Sequence, residues 1–284
     1  MRLCPSLRHE RLPDMNHTAV VIPIYQRELP ALDQLSLDHS LPLLRGRDVC
    51  FIAPHGLDAG YYAERYPGVP VLRFADHYFA SVKGYNLLML SPDFYRQFAD
   101  HTFMLVLQTD AVLLRDDLDH WAAQPFDYVG APWPDGIEVM VQVDRFADGH
   151  GKKVRAHVGN GGLSLRRIDK CIGLLDEFPQ ALGLFRHSGS NEDIYFALMG
   201  LLSRDFVLPN EIEASTFAME LKPSHYLHAN GGCWPMGGHA WWKYEPAFWA
   251  PRLQGVPVLD VPALASAPRR SGASSAERAL APTC

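Results

Sequence analysis

What this chain has little of narrows its class before any motif is read. Its 284 residues include only five cysteines, Cys4, Cys50, Cys171, Cys233 and Cys284, and no two of them form a C-x-x-C pair. That scatter argues against a zinc knuckle or a disulfide framework and fits a reducing, cytoplasmic setting. No apolar run approaches the roughly 18 residues that a membrane-spanning helix needs, so membrane contact, if any, would be peripheral. Basic charge is not in excess: 26 Lys+Arg face 32 Asp+Glu, a formal net charge of −6. Nucleic acid is therefore not an expected partner. No Gly-x-Gly-x-x-Gly or Gly-x-x-x-x-Gly-Lys run follows a strand pattern, which disfavours a dinucleotide dehydrogenase and a P-loop NTPase. The N-terminus has arginines but no apolar h-region, so it is not a secretory signal. Residues 1–15 are expected to be a disordered leader and 263–284 a disordered tail, leaving 16–262 as one domain.

What is present is organised around Phe103 to Arg115, an apolar run broken only at Gln108-Thr109-Asp110. Five apolar residues in a row, flanked by helical patterns, read as a buried parallel strand. Ahead of it, 19–24, 49–53 and 69–74 read as strands. A helical pattern over 29–44, irregular at Pro42, and a short helix at 61–66 separate them, and 80–99 reads as two helices divided at Pro92. This alternation predicts a doubly wound α/β sheet. In the second half, 126–133 reads as a strand and 134–156 as a long, mostly polar loop with at most a short strand. A loop of that length is a candidate lid. A glycine-rich stretch then runs into a strand ending at Arg167, and helices are expected over 168–178 and 192–202.

In an open α/β sheet, ligands sit beyond the carboxyl ends of the strands, where Gln108-Thr109-Asp110 falls. A carboxylate there either caps a turn or holds a hard ion, Mn²⁺ or Mg²⁺, together with substrate phosphates. Gly159-Asn160-Gly161-Gly162 is either a hairpin turn or a place where bare backbone approaches a ligand and Asn160 meets sugar hydroxyls. In Ser190-Asn191-Glu192-Asp193, a cap with first-turn acids competes with a carboxylate acting as general base. His239, between glycines and tryptophans, is either a satisfied structural histidine or a ligand for Mn²⁺, for which imidazole is competent. Trp133 and Trp241 join Asn160, Gly161 and Gly162 as acceptor-side candidates, with a core role as the alternative.

Gln108-Thr-Asp-Ala, Phe126-Asp-Tyr-Val-Gly-Ala-Pro-Trp, Gly159-Asn-Gly-Gly-Leu-Ser-Leu-Arg, Asn191-Glu-Asp and Gly238-His-Ala-Trp occur in that order. Together they resemble the bacterial DUF5672 group, itself similar to GT-A glycosyltransferases, over roughly residues 18–245. The order also looks like that of inverting β-galactosyltransferases. The resemblance implies a GT-A-like (Rossmann-like) α/β fold with a mixed, mainly parallel sheet flanked by helices. It implies transfer from a nucleotide-sugar donor, a UDP-sugar favoured, to a glycan acceptor such as lipopolysaccharide or a surface polysaccharide. Asp110 matches the last acid of the Asp-x-Asp motif and His239 the late histidine, both metal ligands. Asp193 matches the base, and Glu192 would orient sugar hydroxyls. The resemblance also makes Tyr25, Lys83, Tyr85, Asn86, Gln108 and Thr109, at strand ends and a helix start, candidate nucleotide contacts. The departure is Gln108, which stands where the first acid should be and removes one charge from the ion site. Two rivals remain: a non-catalytic glycan-binding module gripping with its Trp-rich end, and a sugar nucleotidyltransferase. The latter would want a glycine-rich basic loop after the first strand, and Ile22-Pro-Ile-Tyr-Gln-Arg-Glu lacks the glycines.

Overall fold

The chain alternates strands and helices from its first described residue, as its pattern of apolar runs dictates. A computed structural model describes residues 18–253; the expected leader and tail lie outside the described residues. In order come β1 (Thr18–Pro23), α1 (Ala31–Ser40), β2 (Asp48–Pro54), α2 (Gly60–Arg65), β3 (Val71–Phe74), α3 (Val82–Met89), α4 (Pro92–Arg96) and β4 (Phe103–Leu107). Pro42 lies in a 3-10 turn that ends α1, and Pro92 opens α4, where its missing N–H costs nothing. Strands β3, β2, β1 and β4 are parallel neighbours.

The second half begins with β5 (Ala111–Leu113), α5 (Leu118–Ala122), β6 (Tyr128–Gly130), β7 (Pro132–Val141), β8 (Lys152–Val158) and β9 (Leu163–Arg167). It continues with α6 (Ile168–Glu177), α7 (Pro179–Ser188), α8 (Glu192–Leu202), α9 (Glu211–Phe217), β10 (Ala218–Met219), α10 (Pro223–Ala229), β11 (Gly237–His239) and α11 (Pro246–Trp249). Strand β9 runs antiparallel to β4, and β6 antiparallel to β9, which completes a mixed sheet in the order β3-β2-β1-β4-β9-β6.

Both faces of the sheet are covered, which is why its central strands are apolar throughout. Ala19, Val21, Met104 and Val106 pack with Leu88, Tyr95, Leu174 and Tyr195 from α3, α4, α6 and α8. The alternate residues Val20, Ile22, Leu105 and Leu107 pack with Leu37, Tyr62, Trp121 and Phe217 from α1, α2, α5 and α9. Helix α9 is fixed by a capping box, Asn210 accepting from Glu213 N and Glu213 answering. No helix among the described residues is long and apolar enough to cross a membrane.

Residues 134–156 are not the loop that was expected. Strands β7 and β8 pair antiparallel from Ile137↔Ala156 to Val141↔Lys152. Val154, Ala156 and Val158 are buried, while Lys153 and Arg155 face outward beside Glu138. The charged residues interleaved with these small apolar ones masked a period of two. The connecting turn is clamped to α7, because Asp144 accepts from the backbone of Gln180 and Ala181 at 2.9 and 3.0 Å. Arg145 also pairs with Glu177 at 2.7 Å and donates to the Leu202 carbonyl. A hairpin tied at both ends is a poor lid. Trypsin should cut at Arg145, Lys152 and Lys153 equally slowly with or without UDP and Mn²⁺, as judged by intact mass. Protection that appears only with nucleotide would restore the lid.

A second, three-stranded sheet in the order β10-β11-β5 closes one end of the molecule. Strand β11 lies antiparallel to β5, with His239 opposite Ala111. That register brings the late histidine beside the residue that follows β4.

Candidate active site

The chain leaves β1 toward β2 on one side while β4 lies on the other, so a crevice opens beyond the carboxyl ends of β1 and β4. Ile24, Tyr25, Leu29, Asp33, Tyr62 and Thr109 line a narrow cleft there. Thr109 donates to Asp33 Oδ2 at 2.6 Å, pinning α1 to the end of β4. Tyr25 is 55% exposed. A roomier cavity of about 270 Å³ lies between β8 and the Leu208–Glu211 segment. Neither Asp110, His239 nor the α8 carboxylates line it, and it is set aside as the reaction centre.

Asp110 caps no helix. Its carboxylate Oδ1 lies 3.1 Å from His239 Nε2, and its backbone carbonyl accepts from Ala240 N at 2.9 Å. The other ring nitrogen, Nδ1, lies 3.4 Å from Glu220 Oε1. Burial alone would keep His239 neutral, but the flanking Asp110 and Glu220 outweigh it and lift its pKa to about 10. Burial likewise works against an ionised Asp110, yet His239 and then Lys243 hold its pKa below the ordinary value.

Two ligands at adjacent corners of an octahedron of about 2.1 Å bonds stand about 3.0 Å apart. The 3.1 Å between Asp110 Oδ1 and His239 Nε2 is that of a direct hydrogen-bonded pair, and the same spacing would let both groups reach one divalent ion. Among the described residues no group of three or more His, Cys, Asp and Glu is arranged to hold a metal. The protein offers two ligands, which suits an ion completed by water and phosphate oxygens.

The glycine turn separates this cluster from a second one. Gly161 N donates to Asp193 Oδ2 at 3.1 Å, and a Cβ on Gly161 would collide with Glu192 Oε1. A Cβ on Gly162 would collide with the His239 ring, and Gly162 O accepts from Gln108 N at 2.8 Å. Adjacent glycines thus each face one half of the site, and no side chain stands between the halves there. Asn160 adopts φ 59 and accepts from Gly162 N through its own side chain, a local Asx turn.

Glu192 was expected to meet sugar hydroxyls. It is 4% exposed instead, and its Oε1 accepts from Arg166 Nη2 at 2.8 Å. Arg166 is fully buried, donates also to Ser164 Oγ and Tyr95 OH at 3.0 Å each, and lies over the rings of Tyr128 and Phe196. Asp193 has no such partner. Burial, and next the neighbouring Glu192, raise its pKa to about 7.

The expected cap at α8 is not made by a side chain. Asn191 stands at the N-cap without capping, its Oδ1 accepting instead from Asn86 Nδ2 at 3.3 Å.

Other expected contacts fall elsewhere. Asn86 is buried and its amide also donates to Gly189 O, so it sets the entry of α8 rather than meeting a nucleotide. Lys83 Nζ donates to His187 O at 2.8 Å, at the carbonyl end of α7. Trp241 is fully buried and donates to Ser36 Oγ at 2.9 Å, so it is core and not a sugar platform. Trp133, half-buried, packs its ring against Gly159. The Tyr85 hydroxyl is shielded from solvent, and its neighbours include Glu192, Arg166, Gln108 and Asp110.

Arg166, Glu220 and Lys243 were not singled out from sequence. Only Arg166 carried a signal, as a charge on the same face of an alternating strand as Ser164.

The family model described as "Protein of unknown function (DUF5672)" matches residues 68–239. No curated protein sequence matches the chain. Among solved structures, the chain is similar to the galactosyltransferase LgtC in complex with donor and acceptor sugar analogs. That match has 14% identity and a TM-score of 0.48, covering 78% of this chain and 86% of that one. It is similar also to the glycosyltransferase GlyE of Streptococcus pneumoniae TIGR4, with 13% identity, a TM-score of 0.43, and 88% and 62% of the two chains. An active-site mutant of LgtC matches with 15% identity and a TM-score of 0.47, over 78% and 86%.

Proposed function

The chain belongs to the DUF5672 family, and from that premise we propose that it is a glycosyltransferase. It moves a sugar from a nucleotide-diphosphate donor, a UDP-sugar in first place, to a hydroxyl of a glycan such as lipopolysaccharide or a surface polysaccharide. The observation that carries this reading is the pairing of two unlike clusters across Gly161-Gly162. An imidazole and a carboxylate stand at the sheet crevice, and a carboxylate with a pKa of about 7 stands opposite.

Asp110 and His239 would hold Mn²⁺ or Mg²⁺, which supplies charge stabilisation to the leaving diphosphate. Tyr25 and Thr109, beside the narrow cleft beyond β1, would contact the nucleoside, and Lys243 adds positive charge near Asp110. Asp193 accepts the proton of the acceptor hydroxyl as its oxygen bonds to the anomeric carbon. The donor's carbon–oxygen bond breaks, its electron pair leaves with the diphosphate, and the anomeric configuration inverts. Product NMR showing retention would remove Asp193 as that base.

The direct test is thermal stability with UDP, GDP, CDP, ADP and dTDP, each with and without Mn²⁺. At ~100 times its dissociation constant a specific ligand stabilises by about 2.7 kcal/mol. For a chain of this size that is a shift of roughly 5–10 °C. UDP stabilising only with metal supports the reading and the ion. UDP stabilising equally without metal means that Gln108 has cost the site its ion, and silence from all five nucleotides sinks the transferase.

A further inference from the structure

We infer that Glu220 is a positioning residue for the ion site: its carboxylate accepts a hydrogen bond from Nδ1–H of His239, which keeps the proton on Nδ1 and leaves Nε2 as the nitrogen presented to a divalent cation. This rests on the reading that Asp110 and His239 hold such an ion.

The placement follows from strand pairing. Met219 in β10 is the partner of Gly238 in β11, so the residue after each, Glu220 and His239, emerge side by side. The two carboxylates at the ring are not equivalent. Asp110 meets Nε2 at 3.1 Å and Glu220 faces Nδ1 at 3.4 Å. The lone-pair directions of the two ring nitrogens diverge, so one ion cannot be bound by both. Asp110 stands at the end of β4, where a diphosphate would lie, which makes Nε2 the metal side. Glu220 is thereby excluded from direct ligation and left with the opposite nitrogen.

An imidazole bound through Nε2 carries its proton on Nδ1, and the acceptor of that proton fixes which tautomer is present. Nδ1 is shielded from solvent and has no hydrogen bond of good geometry, so an acceptor there is needed and Glu220 is the carboxylate that faces it. The ring cannot readily swing to another partner, because Gly162 packs so close that even a methyl group there would strike it. Gly162 thus sets the ring's plane, and Glu220 sets which nitrogen is free. Glu220 is itself only 14% exposed, so the acceptor is held in place rather than shared with water.

The test is calorimetric titration of Mn²⁺ into the full chain with saturating UDP, for wild type, Glu220→Ala, Glu220→Gln and Asp110→Asn. Loss of such an outer partner weakens metal affinity about 10–100-fold. Glu220→Ala should show that loss, Glu220→Gln should recover most of it through its amide oxygen, and Asp110→Asn should abolish binding. A second readout is the histidine ¹H–¹⁵N long-range spectrum of the Mg²⁺–UDP form, in which wild-type His239 should be protonated at Nδ1. Equal Mn²⁺ affinity in wild type and Glu220→Ala overturns the inference and leaves the ion site standing. No Mn²⁺ binding by wild type overturns both. If Glu220→Ala does not fold, the wild-type spectrum decides, since a proton on Nε2 in the ion-bound form is incompatible with the assignment.

Discussion

Asp193→Asn should lower sugar transfer about 10²–10⁴-fold, the usual range for removing a general base, while Mn²⁺-dependent UDP binding stays within twofold. The wild-type rate should rise with pH and level off above about pH 7, because the carboxylate works only when ionised and its pKa is raised to about 7 by burial and by Glu192. Stability runs the other way. A folded pKa above the unfolded value means that this group's contribution to stability is present below about pH 4 and is lost as pH rises through about 7. At pH 8 the native state therefore carries an unfavourable charge that asparagine removes. Asparagine also leaves one of the two backbone donors, Gly161 N or Ile194 N, without its present acceptor. The two effects oppose each other, so the melting temperature at pH 8 should move by only a few degrees. Normal transfer by a folded Asp193→Asn variant would end its role as base.

Arg166→Ala is expected to do the largest damage to stability. Its partner Glu192 is 4% exposed, and stripping the partner from a buried ion pair costs about 3–5 kcal/mol. That is roughly 10 °C in melting temperature at this size. Tyr95 OH and Ser164 Oγ lose a donor as well. The double change Arg166→Met with Glu192→Leu removes both charges, so it should recover part of the loss despite being the larger alteration. Scanning calorimetry of the single and double variants decides it. A double variant no better than the sum of its parts would show that the pair is not what the single change exposes.

Where the sequence could be read correctly, local physics had no competitor. The parallel half was legible because strands buried on both faces must be apolar throughout, as Val20–Ile22 and Phe103–Leu107 are. Asp110 and His239 stood out because each breaks its surroundings, a carboxylate at the end of an apolar run and an imidazole among glycines, and the fold brings the two to 3.1 Å of each other. Residues whose meaning depends on pairing were not. The β7–β8 hairpin is held by contacts to α7 and α8 that no window of sequence contains. Glu220 acquires its neighbour through a two-residue strand, too short to leave a pattern. Trp241 and Asn86 misled because composition does not tell whether a tryptophan or an asparagine faces in or out. Glu192 and Asp193, adjacent in sequence, differ because a single arginine reaches only one of them.

The small β10-β11-β5 sheet also imposes an order in time. Asp110 and His239 are separated by 129 positions, and the strand that joins them lies near the end of the described chain. Contacts so remote in sequence close late, after the entropy of the long intervening loop has been overcome. During synthesis the β3-β2-β1-β4 layer can form while His239 is still inside the ribosome, so an early intermediate has a crevice with one carboxylate and no imidazole. On the proposed reading, donor affinity would then be acquired only once β11 has paired with β5. A chain trapped just short of that pairing would keep its main sheet and, on the same reading, would not bind a nucleotide-sugar donor.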